Sequence, residues 1–132
     1  PAMRGPQGEA AVRLAHRAVR DTSLRREATA AMRTWLTRAG PEDWIVKVFS
    51  LGWFSQIGAL YEAYALADSL REQFLAGSQL GAWSWLWFPQ MSAFRRDARF
   101  QDFTTRLGLM RYWEAFGPPD MCTLEHGKLT CT

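Results

Sequence analysis

The chain has 132 residues, 48% of them hydrophobic and 22% charged, the balance of one folded domain rather than of a disordered segment. No run reaches the ~20 apolar residues of a membrane-spanning helix, and the longest, Trp44 to Phe54, is interrupted by Lys47. The net charge of +3 is uneven, because residues 1–40 hold eight arginines against Glu9, Asp21 and Glu27, while the remainder carries eight basic and ten acidic side chains.

The opening PAMRGPQGEA lacks the basic-then-apolar order of a signal peptide. Pro1 with Met3 close behind reads as a boundary within a longer protein, and residues 1–8 as a linker or cloning remnant. A basic first third reads first as a solvated helix face, and otherwise as the mark of an acidic partner, a lipid surface or nucleic acid.

From Glu9 to Val19 the apolar residues Ala11, Val12, Ala15, Ala18 and Val19 recur at helical spacing between arginines. Asp21-Thr22-Ser23 breaks this helix, and Ser23 is the expected N-cap of the next. There Ala28, Ala31, Met32, Trp35, Leu36 and Ala39 form one stripe, which Gly40-Pro41 stops. Pro41 suits the first turn of a third helix, whose expected inner face is Ile45, Val48, Phe49 and Gly52. A fourth helix is expected from about Phe54 to Leu75. Its two apolar stripes, Ile57, Leu60, Tyr61 and Tyr64 in one and Ala59, Ala63, Leu66, Leu70 and Phe74 in the other, place it between two neighbours.

A break, AGSQLG, precedes the aromatic segment WSWLWF, where Trp83, Trp85, Trp87 and Phe88 suggest a packed or interfacial strand. Asp97 can cap a short helix carrying Phe100, Phe103 and Leu107. Gly108 ends or bends it, and Leu109, Met110, Trp113 and Phe116 are expected to continue the burial before Pro118-Pro119.

Short breaks between helices read as consecutive antiparallel hairpins. Gly5-Pro6 and Gly40-Pro41 lie 35 residues apart, close to the ~34-residue tetratricopeptide period. The stretch Pro41–Leu70, with its Leu51-Gly52 turn, Tyr61 and Tyr64, resembles a degenerate tetratricopeptide repeat. The end, MSAFRRDARFQDFTTRLGLMRYWEAFGPPDMC, is similar to the closing segment of many bacterial tetratricopeptide proteins, although Ala98 replaces the usual proline of the DPRF motif. The resemblance implies a scaffold in a larger bacterial regulatory or signalling protein, not an activity. The expected fold is thus all-α, a single domain over residues 1–132. Two tetratricopeptide-like hairpins occupy 9–75, a Trp-rich connector and capping helices 76–119, and a hairpin tail 120–132.

That tail follows from pairing alone. Folded on His126-Gly127, CTLEHGKLTC sets Glu125 against Lys128, Leu124 against Leu129, Thr123 against Thr130 and Cys122 against Cys131. Glycine at the second turn position favours a type I′ hairpin, and the cysteines then form a close, non-hydrogen-bonded pair at the short edge of disulfide geometry, where a disulfide is expected. The alternative is two free thiols in a cytosolic tail. A disulfide favours an extracytoplasmic compartment, free thiols the cytoplasm. No metal site is expected, since C-x8-C with one histidine lacks ligand spacing.

Enzymatic chemistry has no recognisable seat here: only His16 and His126 are present, with no phosphate loop, HExxH or nucleophile elbow. No cofactor is expected. The leading expectation is a protein- or peptide-binding scaffold, with Arg13, Arg17 and Lys47 lining a concave surface and Trp83, Trp85, Trp87 and Phe88 as aromatic anchors. Self-association is the second reading. Nucleic-acid binding through Arg25, Arg26, Arg33 and Arg38 is disfavoured, because the following WIVKVFSLGWF is too apolar for a recognition helix.

Overall fold

In the computed structural model, which describes residues 5–76 and 80–132, seven α-helices are followed by one two-stranded sheet. Helices α1 (Pro6–Arg20) and α2 (Arg25–Leu36) form a first antiparallel hairpin, and α3 (Trp44–Gln56) and α4 (Leu60–Ala76) a second. Among the described residues no helix is long and apolar enough to cross a membrane.

Helix α1 starts earlier than the sequence pattern implied. Residues 1–4 lie outside the described residues, but Pro6–Gly8 are not a linker: proline opens the first turn, and Gly8 is buried. A Cβ at Gly8 would lie 2.8 Å from the Trp35 indole, so only glycine lets α2 come this close. Ser23 is not the cap of α2. Instead the Asp21 carboxylate accepts from the Ser23 backbone N–H at 3.0 Å and from its hydroxyl at 2.6 Å, turning Thr22–Leu24 into a 3-10 step before Arg25. These two bonds hold the Asp21 carboxyl below its ordinary range.

Pro41–Asp43 form the lead-in to α3, and the Asp43 carboxylate accepts from the Gly40 N–H at 3.0 Å. Two expectations fail here. The second hairpin turns at Ile57–Ala59, not Leu51-Gly52, because Gly58 takes φ +76° while Gly52 remains helical. The expected helix 54–75 is therefore divided between α3 and α4. The inner face of α3 is Ser50, Leu51, Phe54 and Ser55, whereas Ile45 and Phe49 are 51% and 68% exposed. Tyr61, expected in a packed stripe of α4, is also exposed.

Residues 77–79 of the expected break, and the side chain of Phe74, lie outside the described residues. The aromatic segment is not a strand. Leu80–Trp87 is a 3-10 helix, continued by Phe88 N–H donating to the Trp85 carbonyl and Met91 N–H to that of Phe88. Helices α5 (Ser92–Arg96), α6 (Arg99–Arg106) and α7 (Leu109–Phe116) close the helical part. Asp97 caps as expected, accepting from Arg99 N–H at 2.9 Å and, through both oxygens, from its guanidinium at 2.7 and 3.0 Å. The Arg99 side chain thereby holds the Asp97 carboxyl low and lies 4.9 Å from the centre of the Tyr64 ring. Met110 and Trp113 are buried, but Phe116, expected to join them, is 75% exposed and rests on Tyr112.

The core is aromatic. Phe94 stacks on Tyr64 with centroids 4.0 Å apart and meets Phe100 and Phe103 edge-on. The Tyr64 hydroxyl donates to the Phe94 carbonyl at 2.8 Å, and the Phe94 N–H donates to the Ser55 hydroxyl at 3.2 Å. Both α3 and α4 therefore grip the backbone of α5.

Strands β1 (Cys122–Glu125) and β2 (Lys128–Cys131) pair antiparallel in the register expected from sequence, with His126 and Gly127 both at positive φ. Cys122 and Cys131 form a disulfide with Cα atoms 4.1 Å apart, and both join the core. Gln101 of α6 docks the tip: its amide donates to the Gly127 carbonyl at 2.7 Å and accepts from Leu129 N–H at 3.1 Å. Closing a loop with sequence separation 9 should stabilise the fold by roughly 2–3 kcal/mol through the unfolded chain. Paired Cys122→Ser and Cys131→Ser substitution is thus expected to lower the unfolding free energy by that amount, read as a lower urea midpoint. An unchanged midpoint would show that the bridge constrains nothing.

Candidate functional site

Helix α3, WIVKVFSLGWFSQ, is apolar on nearly all faces, so it cannot satisfy every face within one small domain. Its inner face packs on α4 and α5. Its outer side, with Phe88, Gln90 and Met91 from the turn after the Trp-rich helix, walls an open apolar groove of about 330 Å³. Gly52 lies on its floor, and a Cβ there would touch only Gln90, at 3.8 Å. The missing side chain leaves the hollow. Phe49 and Phe88 stand on the rim, 68% and 53% exposed. Gln56 and Gln90 supply the polar edge, and among the described residues no charged one lines the groove.

Beside it lies the basic face of α1. His16 meets the groove residue Trp53 edge-on at 6.1 Å, and Arg13 and Arg20, three residues before and four after, share its helix face. Arg13 is held by Glu9 at 3.1 Å, an exposed pair of little energetic weight. Arg17 is exposed near Asp21, and Lys47 is half-buried on α3. None of Arg13, Arg17 and Lys47 lines this groove.

The aromatic anchors divide in two. Trp83 and Trp85 are 9% and 6% exposed and belong to the core, Trp87 is half-buried against Phe100 and Trp113, and Phe88 is mostly exposed. Trp85 contributes one wall of the groove, and its Nε1–H is buried without an acceptor. Phe49, Gly52 and Trp53 were missed as site residues because their apolar character signalled core.

The groove is braced from behind by Arg95. This guanidinium is 5% exposed and donates to the carbonyls of Leu86 at 2.7 Å, Phe88 at 2.9 Å and Thr132 at 2.8 Å. Burial, with Arg96 next to it, lowers its proton affinity. Among the described residues, backbone oxygens of Leu86, Phe88 and Thr132, rather than an Asp or Glu side chain, solvate the charge.

His16 and His126 stand apart, one on α1 and one in the hairpin turn. Among the described residues no group of three or more His, Cys, Asp or Glu side chains gathers into a metal-binding arrangement. Of the four arginines weighed for nucleic-acid contact, Arg25, Arg26 and Arg33 face one cleft, while Arg38 is engaged by Gln7.

No family model, no curated protein and no solved structure matches the chain.

Proposed function

We propose that the chain is a non-catalytic interaction module of tetratricopeptide-like helical hairpins, serving a longer bacterial regulatory protein. Its occupant is a partner protein's segment that pairs a large apolar side chain with flanking carboxylates. The observation that carries this reading is the uncharged groove on α3, open to solvent beside the basic face of α1. A buried apolar anchor supplies affinity, and the arginines supply orientation and steering. The disulfide supports an oxidising, extracytoplasmic setting.

Selection from a random peptide library on the oxidised protein should enrich sequences with Leu, Phe or Trp next to Asp or Glu. Phe49→Asp is expected to weaken the selected peptides at least tenfold, the scale of losing one well-buried anchor. Because Phe49 is exposed, circular dichroism should not change. Peptides that bind Phe49→Asp as well as wild type would sink the assignment.

The contiguous exposure of Ile45, Phe49 and Phe88 also favours a second reading, a homodimer across the same face. Sedimentation would then show a salt-resistant dimer that Phe49→Asp dissolves. Trp85→Ala cannot probe that dimer, since Trp85 is core and its truncation destabilises the fold itself.

A further inference from the structure

A second concavity, on the far side of the first hairpin, has a different chemistry. Arg25, Thr29 and Arg33 recur every four residues and so share one face of α2, with Arg26 beside them. This face looks across a cleft of about 480 Å³ at Gly58, Ala59 and Glu62, where α3 turns into α4.

We infer that this cleft binds a compact dianionic oxyanion, a phosphate group, through Arg25, Arg26 and Arg33 together with the first N–H groups of α4. The inference is independent of the apolar groove.

Charge is the first argument. Three guanidiniums meet a single carboxylate, Glu62, which lies 3.6 Å from Arg33 Nη1. Arg25 and Arg26 have no carboxylate within ion-pair distance among the described residues. A dianion would bring the cleft to charge balance.

Arg25 is the second argument. It is half-buried, and its Nε–H is fully buried without a hydrogen-bond partner. Buried guanidinium donors ordinarily find an acceptor, and the protein provides none here. Its Nη1 lies 3.6 Å from where a Cβ on Gly58 would sit, so the guanidinium rests over the turn that opens α4.

The third argument is what that turn exposes. Ala59 donates its N–H to the Phe54 carbonyl, and its own carbonyl receives the Ala63 N–H, which marks Ala59 as the start of α4. A methyl side chain cannot cap a helix, so the next N–H groups have neither an intrahelical acceptor nor a side-chain one. The positive end of a 17-residue helix and a guanidinium without a carboxylate partner thus lie side by side in the cleft. Each repels the other, and both attract the same ligand.

The test is a titration of the oxidised, full chain with inorganic phosphate, followed by amide NMR at constant ionic strength set with chloride. Saturable shifts at Leu60, Tyr61 and Glu62 are expected. Arg25→Gln should weaken phosphate roughly tenfold, the scale of one charge-assisted hydrogen bond, and Arg26→Gln, an exposed change that spares the fold, should weaken it less. Arg111→Gln on α7 should leave it unchanged. A parallel titration with a phosphoserine peptide distinguishes the sources: tighter binding than inorganic phosphate points to a phosphorylated partner, weaker binding to a small free ligand. Absence of saturable shifts in the wild-type protein, or an equal response in Arg25→Gln and Arg111→Gln, overturns the site.

Discussion

Phe94→Ala is expected to cost about 3–5 kcal/mol of unfolding free energy, the range for removing a fully buried aromatic ring. Phe94 is 0% exposed and touches Tyr64, Phe100 and Phe103 at once. Its backbone bonds to Ser55 and Tyr64 survive the substitution, so the loss measures packing alone. Urea unfolding followed by tryptophan fluorescence reads it directly. Phe116→Ala, at 75% exposure, is the internal control and should stay within about 0.5 kcal/mol of wild type. Equal effects at both positions would mean that the aromatic core is not where the stability resides.

Arg95→Met should be nearly as damaging, at about 2–4 kcal/mol, although methionine fills much of the same volume. The substitution leaves the oxygens of Leu86, Phe88 and Thr132 without their shared donor; the Leu86 bond is buried and the other two partly so, and an unsatisfied buried acceptor costs roughly 1–3 kcal/mol before relaxation. Arg95→Lys separates charge from geometry. An ammonium cannot span three carbonyls as the planar fork does, so lysine should recover only a minor part of the loss. Full recovery by lysine would show that charge alone matters. Since Phe88 lines the apolar groove, peptide binding should fall in Arg95→Met at temperatures where the fold still holds.

How far these features could be read from sequence depends on the range of the signal. The hairpin register was legible because CTLEHGKLTC pairs about its own centre, with glycine where a left-handed turn residue is needed. The first two helices were legible because their stripes are narrow. Helix α3 was not: with apolar residues on every side, periodicity cannot say which face turns inward, and Ile45 and Phe49 came out on the wrong one. Two glycines competed for the following turn, and only the backbone conformation distinguishes Gly58 from Gly52. The Trp-rich segment imitated strand alternation, yet bonds three residues apart coil it, so Leu86 is buried alongside Trp85. Nothing local separates Arg95 from Arg96. The acceptors that bury the first lie 7, 9 and 37 residues away.

Those separations bear on how the molecule opens. One guanidinium holds carbonyls at positions 86, 88 and 132, so the Trp-rich turn and the end of the hairpin cannot be released one at a time without stranding a buried charge. The two regions should therefore exchange their amide hydrogens with a common opening free energy, as a single cooperative unit. The first hairpin, α1–α2, is tied to the rest by shared apolar core and the Arg33–Glu62 pair rather than by this clamp.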